Sequence, residues 1–100
     1  MSSYDSHLKA ATAVALTGSD QQAVTGPAIF MGLVLTDEAA GNTKIHVHNG
    51  TDNTGPHVGA LGVSANGQDE KWFGPNGVHC PDGIFVAVVS GTPSGSILYR

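Results

Sequence analysis

Apolar residues recur at every second position along several short segments of this chain. In the stretch "LKAATAVAL", residues 8–16, Leu8, Val14 and Leu16 share one side of an extended backbone. Alternation over four to eight residues is typical of a β-strand with one buried face. Turn signals such as Asn49-Gly50 separate these segments. The other predicted strands are 28–36, 43–49, 57–65, 70–73, 84–90 and 95–100.

Short strands at this spacing, with no helical periodicity, predict an all-β fold. We expect a single-domain antiparallel β-sandwich or jelly roll of about seven to eight short strands over residues 8–100. The polar residues 1–7 are predicted to form a flexible N-terminal arm. Segment 43–49 is expected to pair with 28–36 across a short turn, and 84–90 with 95–100 as a last hairpin.

Two of the predicted strands are apolar on both faces. In 28–36, alternation puts Met31, Leu33 and Leu35 on one side and Phe30 and Val34 on the other, and 84–90 follows the same pattern. A two-layer sandwich covers only one face of each sheet, so the second face needs another cover. A second copy of the chain is the simplest one, which predicts a homo-oligomer. Cover by a loop or by the N-terminal segment is the alternative.

Charge and hydropathy exclude two classes of partner. The net charge is −4, and the four basic residues, Lys9, Lys44, Lys71 and Arg100, are scattered singly. Nucleic-acid binding requires clustered basic side chains, so no nucleic-acid partner is expected. No apolar run approaches the ~20 residues of a membrane-spanning helix, so no membrane partner is expected either. The start "MSSYDSHLKA" lacks the pattern of a secretory signal, which favours synthesis in the cytoplasm.

The stretch "TKIHVHNG" raises the question of a metal site. His46 and His48 would project from one face of a strand, close enough to share a metal ion. Further ligands would have to come from a set that the spacing does not single out: His7, Asp52, His57, His79 and Cys80. Three copies around a trimer axis would instead supply six imidazoles. The competing interpretation makes both histidines exposed or interface residues of a strand.

The same His-x-His motif invites comparison with the cupin pattern. That pattern expects a glutamate a few residues on and a late histidine, but 51–54 contains no glutamate and "PDGIFVAVVSG" no histidine. Two of the cupin ligands are therefore missing.

Other catalytic signatures are weak. The chain has no Gly-x-Ser-x-Gly elbow, and its only glutamates are Glu38 and Glu70. Cys80, the single cysteine, is predicted to be a buried or inert thiol. Trp72 and Phe73 would suit a sugar-stacking platform, although core packing or a subunit interface suits them better. We therefore predict no enzymatic activity and no cofactor.

Two longer stretches carry a resemblance to a known class. The segments "AVTGPAIFMGLVLTDEAAGNTKIHVHNGTDNTG" and "GVHCPDGIFVAVVSGTPSGSILYR" are similar to small tailed-phage virion β-sandwich proteins. The resemblance implies a capsid cement or decoration protein that binds the major capsid protein at the virion surface as a homo-oligomer, with a trimer favoured. A head or tail fibre component is also compatible with it.

Aromatic residues are enriched at protein interfaces, which gives a set of candidate contact residues. These are Tyr4, Phe30, Trp72, Phe73 and Tyr99. The alternative function is a ligand- or metal-binding jelly-roll module, lectin-like or cupin-like, with His46 and His48 as the metal ligands.

Overall fold

A computed structural model describes residues 11–37, 41–74 and 76–100, and within them the chain forms nine strands and no helix. The strands are Thr12–Ala15 (β1), Gln21–Val24 (β2), Ala28–Asp37 (β3), Thr43–Asn49 (β4), His57–Val63 (β5), Gln68–Trp72 (β6), Val78–Cys80 (β7), Ile84–Ser90 (β8) and Pro93–Tyr99 (β9). The predicted all-β sandwich is confirmed, and β2 and β7 are strands that the sequence pattern did not reveal. The predicted arm, 1–7, lies outside the described residues.

The strands form two antiparallel sheets. One has the order β1-β9-β3-β6, with β7 also pairing with β3, and the other has the order β2-β8-β4-β5. When the short β7 is left out, the first strand pairs with the last, the second with the last but one, and so on inwards to β4 and β5. This nested pairing is a long hairpin wrapped into two layers, which is the arrangement of a jelly roll.

The two strand pairings predicted between consecutive segments, 28–36 with 43–49 and 84–90 with 95–100, are both wrong. Strands β3 and β4 lie in opposite sheets, and so do β8 and β9, so each connection crosses between layers instead of closing a hairpin. The crossing between β8 and β9 brings backbone very close to backbone at Gly91, whose φ is +77°. A Cβ there would lie 2.5 Å from the Asn42 carbonyl oxygen and would also collide with the Thr43 hydroxyl, so only glycine fits.

The core lies between the two sheets. Its fully buried side chains include Phe30, Leu33 and Leu35 of β3. This corrects the predicted faces, which put Phe30 opposite the two leucines. The register of β3 against β9 shifts between Phe30 and Gly32, so an extra residue interrupts the alternation. The remaining fully buried apolar residues are Ile45, Val47, Cys80, Ile84, Val86 and Ile97.

Strand β6 lies at an edge of the five-stranded sheet, and its charged residues disfavour pairing with a further strand. Asp69 and Lys71 pair with the core residues Leu35 and Leu33, so they project from the inner face of the sheet yet remain exposed at its margin. Charged side chains on the inner face of an edge strand hinder pairing with a further strand. Association through this edge is therefore disfavoured.

Candidate functional site

The alternation of β4 places two histidines on the outer face of the four-stranded sheet. Ile45 and Val47 are fully buried and point into the core. His46 and His48 therefore project from the opposite face, as the sequence predicted. The burial of Ile45 and Val47 therefore shows that the face shared by His46 and His48 is the outer face of the sheet.

A register shift in the neighbouring strand adds a third histidine. Val47 pairs with Gly59, so regular pairing would set His48 opposite Val58, but His48 pairs with His57 instead. The extra residue, Val58, packs against the core, while His57 is exposed. A bulge of this kind changes which side chain faces outward. It therefore brings His57 onto the face that carries His46 and His48.

The three imidazoles form a compact cluster, which we call the histidine cluster (His46, His48, His57). One ring nitrogen of each residue lies within 4.8 Å of those of the other two. His57 sits between its neighbours, with ring centroids 4.6 Å from His46 and 4.4 Å from His48, while the latter two are 6.3 Å apart. The cluster runs from buried to open, since His48 is only 2% exposed and His57 is exposed.

The buried member of the cluster has a defined tautomer. Nδ1 of His48 lies 2.8 Å from the carbonyl oxygen of Gly55, in the loop between β4 and β5. A carbonyl oxygen only accepts hydrogen bonds, so Nδ1 carries the proton and donates it. In the neutral ring, Nε2 then holds the free lone pair. A ligating histidine in metalloproteins has this arrangement, with its other nitrogen bonded to a backbone carbonyl or carboxylate.

Burial and neighbouring positive charges disfavour the protonated form of His46. Burial lowers the pKa of His46, and the nearby His57, Lys44 and His48 lower it further. The charged form is disfavoured by desolvation and by like charges alike. The lowered pKa of His46 therefore favours a ring with a free lone pair over a doubly protonated ring.

The loop that follows β4 is held by polar contacts. The Asp52 carboxylate accepts hydrogen bonds from the backbone and the hydroxyl of Thr54, and these bonds lower the pKa of Asp52. The Gln22 amide donates to the carbonyls of Gly50, Val24 and Ile84. An open cleft of about 410 Å³ lies beside the loop, lined by 49–52, 54–56 and Asp82, and so not by the histidine cluster. These bonds fix the loop that presents Gly55 to His48.

The aromatic residues proposed for an interface occupy different environments. Phe30 is fully buried and packs against Phe73, with ring centroids 5.3 Å apart, so Phe30 is a core residue and not an interface candidate. Phe73 and Tyr99 are half-buried and pack against the core. Trp72 is 57% exposed on the outer face of the other sheet. The fifth candidate, Tyr4, lies outside the described residues.

The other sequence candidates do not join the histidine cluster. Cys80 is fully buried, as predicted, and burial raises the pKa of its thiol. His79 is exposed on β7, in the other sheet. Among the described residues, the metal-capable grouping of three or more side chains is the histidine cluster alone, and His7 lies outside them. The third member, His57, was one of five possible further ligands by sequence, and it could not be singled out because nothing in its spacing from His48 signals a bulge.

Comparisons with known proteins leave the chain without an assigned family. A scan of protein-family models, a search of curated proteins and a search of solved structures each gave no match. Within the part of the chain that the structure describes, no helix is long and apolar enough to cross a membrane.

Proposed function

We propose that this protein is a non-enzymatic structural component of a tailed-phage virion, a decoration protein that binds the capsid surface as a homo-oligomer. The observation that carries the proposal is the exposure of Trp72 on an outer sheet face. The resemblance of the two long stretches to small virion β-sandwich proteins sets its biological context. A trimer is the favoured oligomer, with the major capsid protein as the second partner.

Trp72 begins an apolar row that crosses the five-stranded sheet. The cross-strand register aligns it with Gly32 on β3, Leu98 on β9 and Ala13 on β1. Gly32 leaves the middle of the row without a side chain, and Leu98 is half-buried. Flat apolar patches that contain tryptophan are typical of protein interfaces and often supply most of the binding energy.

The surroundings of this row favour contact through a sheet face. The edge strand β6 carries Asp69 and Lys71 on its inner side, which disfavours strand addition at that edge. A second copy that covers Trp72 and Leu98 would bury their apolar surface, at roughly 25 cal/mol per Å² removed from water. A jelly roll with an exposed apolar row on one outer face suits a decoration protein that binds where capsid subunits meet.

The oligomer is tested by native mass spectrometry and light scattering over a range of protein concentrations. Loss of a central tryptophan costs about 2 kcal/mol or more at an interface, so Trp72→Ala should weaken association by about 30-fold or more. Val89→Ala is the matched control, because Val89 is also exposed, at 51%, but lies on β8 of the other sheet. A parent protein that stays monomeric at all concentrations would overturn the proposal.

The virion location is tested on particles of the phage that encodes the protein. Immunogold labelling should decorate the capsid surface in many copies per particle. Label confined to the tail or to a single vertex would support the fibre alternative, and particles without the protein would contradict a structural role.

A further inference from the structure

The geometry of the histidine cluster points to a function beyond oligomerisation. We propose that His46, His48 and His57 of a single chain form a three-imidazole site for a divalent transition-metal ion, with Zn²⁺ as the physiological candidate. This inference does not rest on the proposed virion function, since all three ligands come from one chain.

The donor atoms are close to the spacing that a metal requires. Tetrahedral zinc with bonds of ~2.0–2.1 Å to nitrogen holds its donors about 3.3 Å apart. One ring nitrogen of each histidine lies within 4.8 Å of those of the other two, so these three donors must close by at most about 1.5 Å. Rotation about the χ angles of the exposed His57 supplies much of that movement, while the two β4 histidines stay on their strand.

The second reason is the hydrogen bond from His48 to Gly55. It holds the proton on Nδ1 and so directs Nε2 to serve as the ligand atom. A backbone carbonyl in this role is part of the loop, so the ligand is oriented before any metal arrives. His48 is the buried ligand, and a metal at this position would join β4 to β5 at the bulge.

The chemistry of the donor set selects the class of metal. Three neutral imidazoles without a thiolate suit Zn²⁺, Cu²⁺ or Ni²⁺, whereas Ca²⁺ and Mg²⁺ require oxygen ligands. Three protein ligands leave one position of a tetrahedral ion open, which water or a group from another molecule can fill. Two charged residues interact with the histidine cluster. Lys44 lowers the pKa of His46, and the interaction between His48 and Asp52 lowers the pKa of Asp52.

The first test is metal binding by the full chain after treatment with a chelator. Native mass spectrometry and calorimetry with ZnCl₂ should give one ion per chain, and MgCl₂ should give none. Binding to the folded state alone raises the melting temperature, by on the order of 10 °C at a Zn²⁺ concentration one hundred times Kd.

Variants locate the ion. His57→Gln removes an exposed ligand and should leave the fold intact, yet weaken Zn²⁺ binding by at least about 100-fold, beyond the 10–100-fold effect of outer-shell changes. His79→Gln is the matched control, an exposed histidine on the other sheet that should bind as the parent does. Because His48 is buried, His46→Gln is the better second ligand variant, and it should match His57→Gln.

Three results would overturn the proposal. These are zinc binding no tighter than that of a His46→Gln, His57→Gln double variant, unchanged binding in His57→Gln, and a loss of binding in His79→Gln equal to that in His57→Gln. A metal-free oligomer would leave the proposed virion function intact and remove only the metal site. A monomer that binds one zinc per chain would do the reverse.

Discussion

Removal of the Phe30 ring tests the core directly. Phe30 is fully buried, packs against Phe73 at 5.3 Å between ring centroids, and its ring edge lies 3.0 Å from where a Cβ on Gly59 would sit. Phe→Ala at such a site costs about 3–5 kcal/mol, through lost transfer energy and a residual cavity. That is a large part of the ~5–15 kcal/mol that holds a typical domain together.

The assay is urea unfolding followed by far-UV circular dichroism at one fixed protein concentration, low enough that the chain is dissociated. Backbone signal is preferable to fluorescence because the single tryptophan, Trp72, is already exposed in the folded state. With an m value of about 1–3 kcal/mol/M, Phe30→Ala should lower the midpoint by at least about 1 M. If this variant does not fold, Phe30→Leu should show a smaller shift in the same direction.

Trp72→Ala is the control for this prediction, since both residues were interface candidates by sequence. An exposed side chain away from the core should change the stability of the dissociated chain by no more than about 0.5 kcal/mol. Equal midpoint shifts for the two variants, or none for Phe30→Ala, would refute the assignment of Phe30 to the core and of Trp72 to the surface.

Four further outcomes follow from single contacts. Gly59→Ala should destabilise the fold by about 1–3 kcal/mol in urea titrations, because its Cβ would press on the Phe30 ring. Gln22→Leu should cost about 1–3 kcal/mol, because it strips a donor from three carbonyls. Native Cys80 should resist iodoacetamide at pH 8 and react in urea, since burial blocks access and raises its pKa. His46 has a lowered folded pKa, so the unfolded chain binds more protons, and stability should fall as pH drops below about 6.5.

Three of these outcomes have a control variant, and for Cys80 the urea-unfolded protein serves as the control. Gly62→Ala, on the same strand, meets nothing closer than 3.6 Å and should be neutral or slightly stabilising. Gln68→Leu alters an exposed glutamine of β6 and should leave the midpoint unchanged. With a chelator present, His46→Gln should lose less stability than the parent between pH 7.5 and 5.5. Equal pH sensitivity, or rapid alkylation of the folded thiol, would contradict the assigned environments.

Short-range patterning in the sequence determined the class of fold and placed two of the three clustered histidines on one face of a strand. Alternation along 43–49 was enough to place His46 and His48 on a common face, because side chains of an extended chain point alternately to either side. The apolar segments and the turn residues between them likewise indicated an all-β sandwich. These features depend on neighbours within a few residues, which the sequence displays directly.

Tertiary structure decided whatever depends on register between distant segments. The shift at Val58 brings His57 opposite His48, and the shift after Phe30 turns that ring into the core. The nested pairing of the jelly roll separates β3 from β4 although they are consecutive in the chain. The packing of two sheets over a shared core determines where a bulge occurs and where the chain passes from one sheet to the other. Neither feature can therefore be predicted from the alternation along one strand.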